Sequence, residues 1–377
     1  MTIKELAYSA QKQLETGTNQ HFKRTHIYEL LAATFGYSSY AALAAEAVFT
    51  KQAFASRRLS ANALLVRSRC VELAYPVDIA KLVAASLPEF LAEREIGIIR
   101  VADLVATLQS DSYVPDDDED ESLEREGEGW DGSDDRWVNL RVLASPILLD
   151  GLETAAQGGQ ALAHYALALI HAPDEYGDEP EVGADYWYQR AKVGWVLSGV
   201  EKEWADAHAL KLSKAEKHER HLREAARLGL PVAMLAVANQ FGDPAFFEQG
   251  IEKVDADPAM VAGIAERLSR PQDARKWLAV AATSGDVEAM RQLIEDHDQD
   301  DLLQCWTWVY LARLAGTDLT ADVYRAIHED GSDYDDDVGG PMYADGQDGV
   351  ALEALPQEMD AVARRQAHEI FVRINAS

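Results

Sequence analysis

Two cysteines in 377 residues, Cys70 and Cys305, are too few and too far apart to read as a disulfide framework, and they fit a reducing compartment. Positive charge is scarce as well: 35 Lys and Arg stand against 65 Asp and Glu, a formal net charge of −30. Phosphate backbones and anionic bilayers are bound by positive charge, so this balance argues against nucleic acid and membrane partners and suits a basic protein partner. The plainer reading is that acidic residues keep an extended helical surface in solution. No apolar run approaches the roughly 20 residues that span a bilayer. The opening MTIKELAYSAQKQLETG has no apolar stretch of the secretory kind, so the cytoplasm is the expected compartment.

Catalytic and cofactor signatures are also lacking. There is no GxSxG, Walker loop or kinase set. Gly127, Gly129 and Gly132 spell GxGxxG inside an acidic run that no strand precedes and no helix follows, and its acids would repel a pyrophosphate. His218 and His221 stand in HExH, one residue short of a zinc-protease helix and without a third ligand cluster, so a solvated helix face is expected. The Asp-rich stretch 330–337 fails the calcium-loop template, because the frame with Gly340 at position six puts Gly346 where a bidentate Glu belongs. No cofactor, metal or catalytic residue is assigned.

What is there is a repeat. LETAAQGG (152–159), LREAARLG (222–229) and LAVAATSG (278–285) keep one Leu, paired Ala and a closing Gly in register, and each runs into a small-residue helix start at Ala163, Ala233 or Ala289. WYQRAKVG (187–194) is a weaker copy, and VYLARLAG (309–316) extends the series. Leu and Ala on one stripe give a narrow apolar face, paired Ala let backbones approach closely, and Gly can turn the chain at φ > 0. The unit reads as helix, tight turn, helix, and its recurrence as a stacked α/α array.

The pattern resembles Sel1-like repeats, relatives of the tetratricopeptide family, over roughly residues 140–325. Trp187-Tyr188, Trp277 and Trp308 stand where that family carries aromatic residues, whereas its inter-helix LG..Y..G turn is largely missing and the Gly229–Gly285 step is irregular. The resemblance implies an α/α superhelix acting through protein contacts as an adaptor, regulator or inhibitor.

The array is flanked by other segments. Residues 1–50 read as a small helical module, with Ile27, Leu30, Leu31 and Phe35 on one face, Gly36 as a stop and Ser38 or Ser39 as the next cap. It resembles a short helix-turn-helix-like element, but its second helix offers no side chain for base edges, so a packing role is expected. Residues 51–112 read as further helices with a basic start (Lys51, Arg57, Arg58, Arg67, Arg69), and with Pro76 and Pro88 each near a helix start. Residues 113–136 are an acidic linker or loop, 137–327 the repeats, 328–350 a second acidic loop, and 351–377 a capping helix using Leu352, Leu355, Met359, Val362 and Ile370.

The expected fold is therefore an all-α superhelical solenoid of Sel1-like helix pairs behind an N-terminal helical module. The expected function is non-catalytic binding of a basic protein. Trp195, Trp204 and Trp306 are the candidate anchors, and Asp333, Asp335, Asp336 and Asp337 the candidate steering charges. Two rivals are an immunity- or antitoxin-type inhibitor of a basic toxin, and an enzyme whose site lies in 51–112.

Overall fold

The computed structural model of the chain describes residues 1–51, 62–110, 142–173, 183–334 and 341–376. The described residues are mostly helical, with 67% helix in 17 helices and a few short strands. They form two compact units, Met1–Met234 and Leu235–Ser377.

In the first unit α1 (Ile3–Thr18) starts from a capping box: Thr2 Oγ1 accepts from the Glu5 amide at 3.3 Å and Glu5 Oε2 accepts from the Thr2 amide at 2.8 Å. After α2 (Arg24–Thr34), Gly36 turns the chain at φ +88, and the Ser39 hydroxyl caps α3 (Tyr40–Glu46) by accepting from the Ala42 amide. The helical pattern then breaks. β1 (Ala47–Lys51) pairs antiparallel with β2 (Ile96–Arg100), setting Val48 against Ile99 and Phe49 against Ile98. AVFTK and IGIIR supply the β-branched and aromatic side chains that fit a pleated surface, and the first four residues of each strand are buried.

Between and after these strands lie α4 (Ala63–Glu72), α5 (Val77–Glu93) and α6 (Val101–Ser110). Pro76 is the N-cap of α5, but Pro88 departs from expectation and sits inside that helix. Burial of Leu87, Phe90 and Leu91 beside it holds the helix together across the missing amide. One core takes in Leu6, Phe22, Leu30, Phe49, Phe90, Ile96 and Ile147, so the segments 1–50 and 51–112 share a single interior. Then come α7 (Pro146–Gln157), α8 (Ala161–Ile170), α9 (Ala184–Lys192), the long α10 (Gly199–Arg227) and α11 (Pro231–Phe241), within which the first unit ends at Met234. The Ile3 amide donates to Asp150 Oδ2 at 3.0 Å, tying α1 to α7.

The second unit contains α12 (Ala245–Glu248), α13 (Pro258–Arg267), α14 (Pro271–Thr283), and α15 (Val287–Gln292), which runs into a π-helical turn at Leu293–His297. It continues with α16 (Leu302–Leu314), β3 (Val323–Ile327), β4 (Tyr343–Gln347) and α17 (Gln357–Ile374). Asp298, just past the π turn, is buried; its carboxylate accepts from Arg275 Nε on α14 at 2.5 Å and from Trp308 Nε1 on α16 at 2.9 Å. The exposed pair β3–β4 replaces the end of the expected repeats and part of the expected acidic loop. Arg325 holds the pair by bonding Asp345 at 2.9 Å and Asp333 at 3.3 Å. The last helix seats on α16 through Ala363 and Ala367, while Met359 stays exposed.

The repeat glycines Gly159, Gly194, Gly229, Gly285 and Gly316 all lie in the left-handed region, with φ between +85 and +105. In each turn the following amide reaches five residues back, for example Gln160 to the Ala155 carbonyl (3.2 Å), Leu230 to Ala225 (3.2 Å) and Asp286 to Ala281 (3.2 Å). The same turn recurs at Ser269 (φ +56), where the Arg270 amide donates to the Ala265 carbonyl at 2.9 Å. ERLSRP thus repeats ARLGLP within the irregular step, with serine in the glycine place.

A Cβ on Gly229 would meet nothing within 4 Å, so Gly229→Val pays only backbone strain, about 1–2 kcal/mol. Ser269→Gly relieves the same strain and should gain about 0.5–1 kcal/mol, less than the full strain because glycine loosens the unfolded chain. Urea melts measure both; unchanged midpoints would show that these turns do not need a left-handed residue.

Candidate functional site

α9 and the outer half of α10 form a helical hairpin that packs on itself. Within these two stretches, Ala184–Lys192 and Gly199–Lys217, only Ala184 and Ala205 are buried. The helices are set by local signals. Gly183 (φ +102) opens α9, Gly194 (φ +91) closes it, and Ser198 with Gly199 (φ +56) starts α10.

The tip between them is apolar and uncovered: Val193 is 73% exposed, Trp195 55% and Val196 98%. Trp195 is nevertheless held. Its amide donates to the Arg190 carbonyl at 3.1 Å, and the Arg190 guanidinium lies 4.0 Å from the ring centroid while donating to Tyr186 Oη at 2.6 and 3.0 Å. An exposed cation–π contact is worth about 0.5–1 kcal/mol, enough to limit the rotamers of the indole before anything binds. Lys192 sits over the Tyr188 ring, so the Trp195 indole stands among cations in an otherwise acidic chain.

The other expected anchors differ. Trp204 is half-buried in the hairpin. Trp306 is also half-buried, stacked on Tyr310 at 5.4 Å with its Nε1 donating to the Glu353 carbonyl at 2.8 Å, so it fastens the segment leading into α17. Trp195 and Trp204 belong to the first unit, Trp306 and Asp333 to the second, and Asp333 is occupied by Arg325. Asp335, Asp336 and Asp337 lie outside the described residues, as do the acidic run 115–135 and Arg57 and Arg58. Val193, Val196 and Arg190 were not singled out from sequence; the short apolar pair flanking Gly194 and Trp195 was the available signal.

The inner half of α10 packs on α8, and there His218 and His221 are buried rather than solvated. Helix periodicity shows a stripe but not which neighbour covers it. His218 Nδ1 lies 2.8 Å from the Ala168 carbonyl and so carries the proton of that bond. Arg220 Nη2 is 3.0 Å from His221 Nε2, which must therefore accept, leaving His221 Nδ1–H to donate to His164 Nδ1 at 3.0 Å. Burial first, then Arg220, push His221 down to about 4; burial first, then Lys217, push His171 down to about 4. Glu153 Oε1, 3.6 Å from His221 Nε2, is the acid that a protonated ring would meet.

Other chemistry is sparse. Both thiols are buried, which raises Cys70 to about 12 and Cys305 to about 11 and leaves them protonated at neutral pH. A cavity of about 360 Å³ opens between α3, β1 and α7, lined by Tyr40, Ala44, Val48, Gly151, Ala155 and Gln160. Among the described residues no three His, Cys, Asp or Glu side chains are grouped to hold a metal ion. No helix among them is long and apolar enough to cross a membrane. No protein-family model, curated protein or solved structure matches the chain.

Proposed function

We propose that this chain is a non-catalytic interaction scaffold, an α/α array of Sel1-like helix pairs that docks a protein partner on the tip of the α9–α10 hairpin. One observation carries the reading: an indole held in place by Arg190 yet 55% exposed, flanked by Val193 and Val196. Preorganised aromatic side chains with an apolar surround are what binding anchors consist of. Recurrence of one left-handed turn at the five repeat glycines and at Ser269 supports the array. A net charge of −30 attracts a basic partner at long range, while contact at the tip is apolar.

Affinity capture on the immobilised chain identifies the partner, and Trp195→Ala tests the anchor. The variant should lose roughly 2 kcal/mol of binding through faster dissociation, with an unchanged circular dichroism spectrum. A basic partner should also associate more slowly as salt is added. Undiminished binding by Trp195→Ala and Val196→Asp would remove the tip from the interface, and a salt-independent association rate would remove the acidity from recognition.

A further inference from the structure

One stripe of α10 changes cover along its length. Val200, Glu203, Ala207, Leu210, Lys214, Lys217 and His221 follow each other at alternating three- and four-residue steps, the spacing of a helix-pairing seam. At its inner end α8 covers the seam, with His164 on His221. At its outer end nothing among the described residues does: Val200 is 55% and Leu210 59% exposed, and Glu203, Ala207 and Lys214 are exposed too. The salt bridges within α10, Arg223 to Glu219 and Arg227 to Glu224, belong to the inner end; neither Glu203 nor Lys214 has an opposite charge at ion-pair distance among the described residues.

The charges along this open seam are ordered. Acid (Glu203) stands on the tip side of the apolar pair Ala207 and Leu210, and base (Lys214) on the other. A two-fold axis between Ala207 and Leu210 would run two such helices antiparallel. Each Glu203 would then meet the Lys214 of the other copy, and each Ala207 the other Leu210. A single patch that complements itself in this way is the requirement of a two-fold interface. Local charge points the same way: residues 184–217 hold six Lys or Arg against five Asp or Glu, so the hairpin escapes the repulsion that a net charge of −30 imposes on contact between copies elsewhere.

We infer that the outer half of α10 is a self-association surface, whose partner is the same stretch of a second copy running antiparallel. This seam is separate from the tip that carries Trp195.

Sedimentation equilibrium on the full chain tests it, over a range up to roughly 200 μM, where a weak interface of this kind is populated. The parent chain should form a dimer. Glu203→Lys and Lys214→Glu each place like charges across the seam twice and should weaken the dimer at least roughly tenfold. The double variant Glu203→Lys/Lys214→Glu restores both pairs with reversed sign and should return to within about threefold of the parent. Trp195→Ala should leave the dimer unchanged, which separates this surface from tip docking. A parent that stays monomeric, single variants as tight as the parent, or a double variant no tighter than the singles would each overturn the assignment.

Discussion

Acidification from about pH 7 to about pH 4.5 should cost the first unit on the order of 2 kcal/mol through His221. The sign follows from where the protons go. His221 in the fold sits at about 4, below the ordinary histidine value of about 6.5, so between those limits the unfolded chain takes up the proton and the folded chain does not. The stabilisation is complete above the unfolded value and is lost as pH falls toward the folded one. Protonation would require His221 Nε2 to give up the Arg220 hydrogen bond beside Lys217, with Glu153 and Glu224 as compensating acids. His171 adds a smaller contribution of the same sign, being more open to solvent.

Asn at 221 can still donate an amide proton toward His164 but does not titrate. His221→Asn should therefore be less stable than the parent at neutral pH and lose most of that deficit near pH 4.5. Carboxylates titrate in both chains, so the difference between them isolates the imidazole. Parallel stability curves for the two chains across this range would show that the buried pair is not the acid-sensitive element.

Asp298→Ala should be the most damaging single substitution in the second unit, by about 3–4 kcal/mol, or a fall in Tm of roughly 10 °C. The carboxylate is the joint between α14 and α16: without it the Trp308 indole N–H is buried with no acceptor, and Arg275 loses its counter-charge. Asp298→Asn retains one acceptor oxygen and should cost about half as much, because Arg275 is half-exposed and can turn to water. A scan in which Ala and Asn behave alike would mean that the indole bond contributes little and the ion pair nearly everything.

These left-handed turns were legible because a left-handed residue ending a helix is most often glycine, and Gly159, Gly194, Gly229, Gly285 and Gly316 meet that condition. Ser269 escaped because the same backbone was built at a strain cost from a residue that signals nothing. Strands β1 and β2 were hidden for a different reason. Each is five residues long, follows directly on a helix-forming stretch, and finds its partner about fifty residues away, a pairing that local periodicity cannot report. Trp195 is exposed because it follows Gly194 directly, in a turn where no helix face buries it. Trp306 was misplaced because its cover, the Glu353 carbonyl, comes from a loop distant in sequence. His218 and His221 were misread as solvated because α10 has polar residues all round, and only the position of α8 distinguishes its two ends.

The link from the Ile3 amide to Asp150 joins positions 147 apart, and it has a bearing on how the chain is made. A ribosome adds roughly 5–20 residues per second, so α1 leaves it on the order of 10–30 s before α7 exists to receive it. During that interval the first helix can settle against α2 and α5, but the face meant for α7 has no cover. The N-terminal unit is thus a late-closing structure on the nascent chain, and an early translational pause before residue 150 would prolong the period in which Ile3 and Val48 are open to wrong neighbours, including another nascent copy.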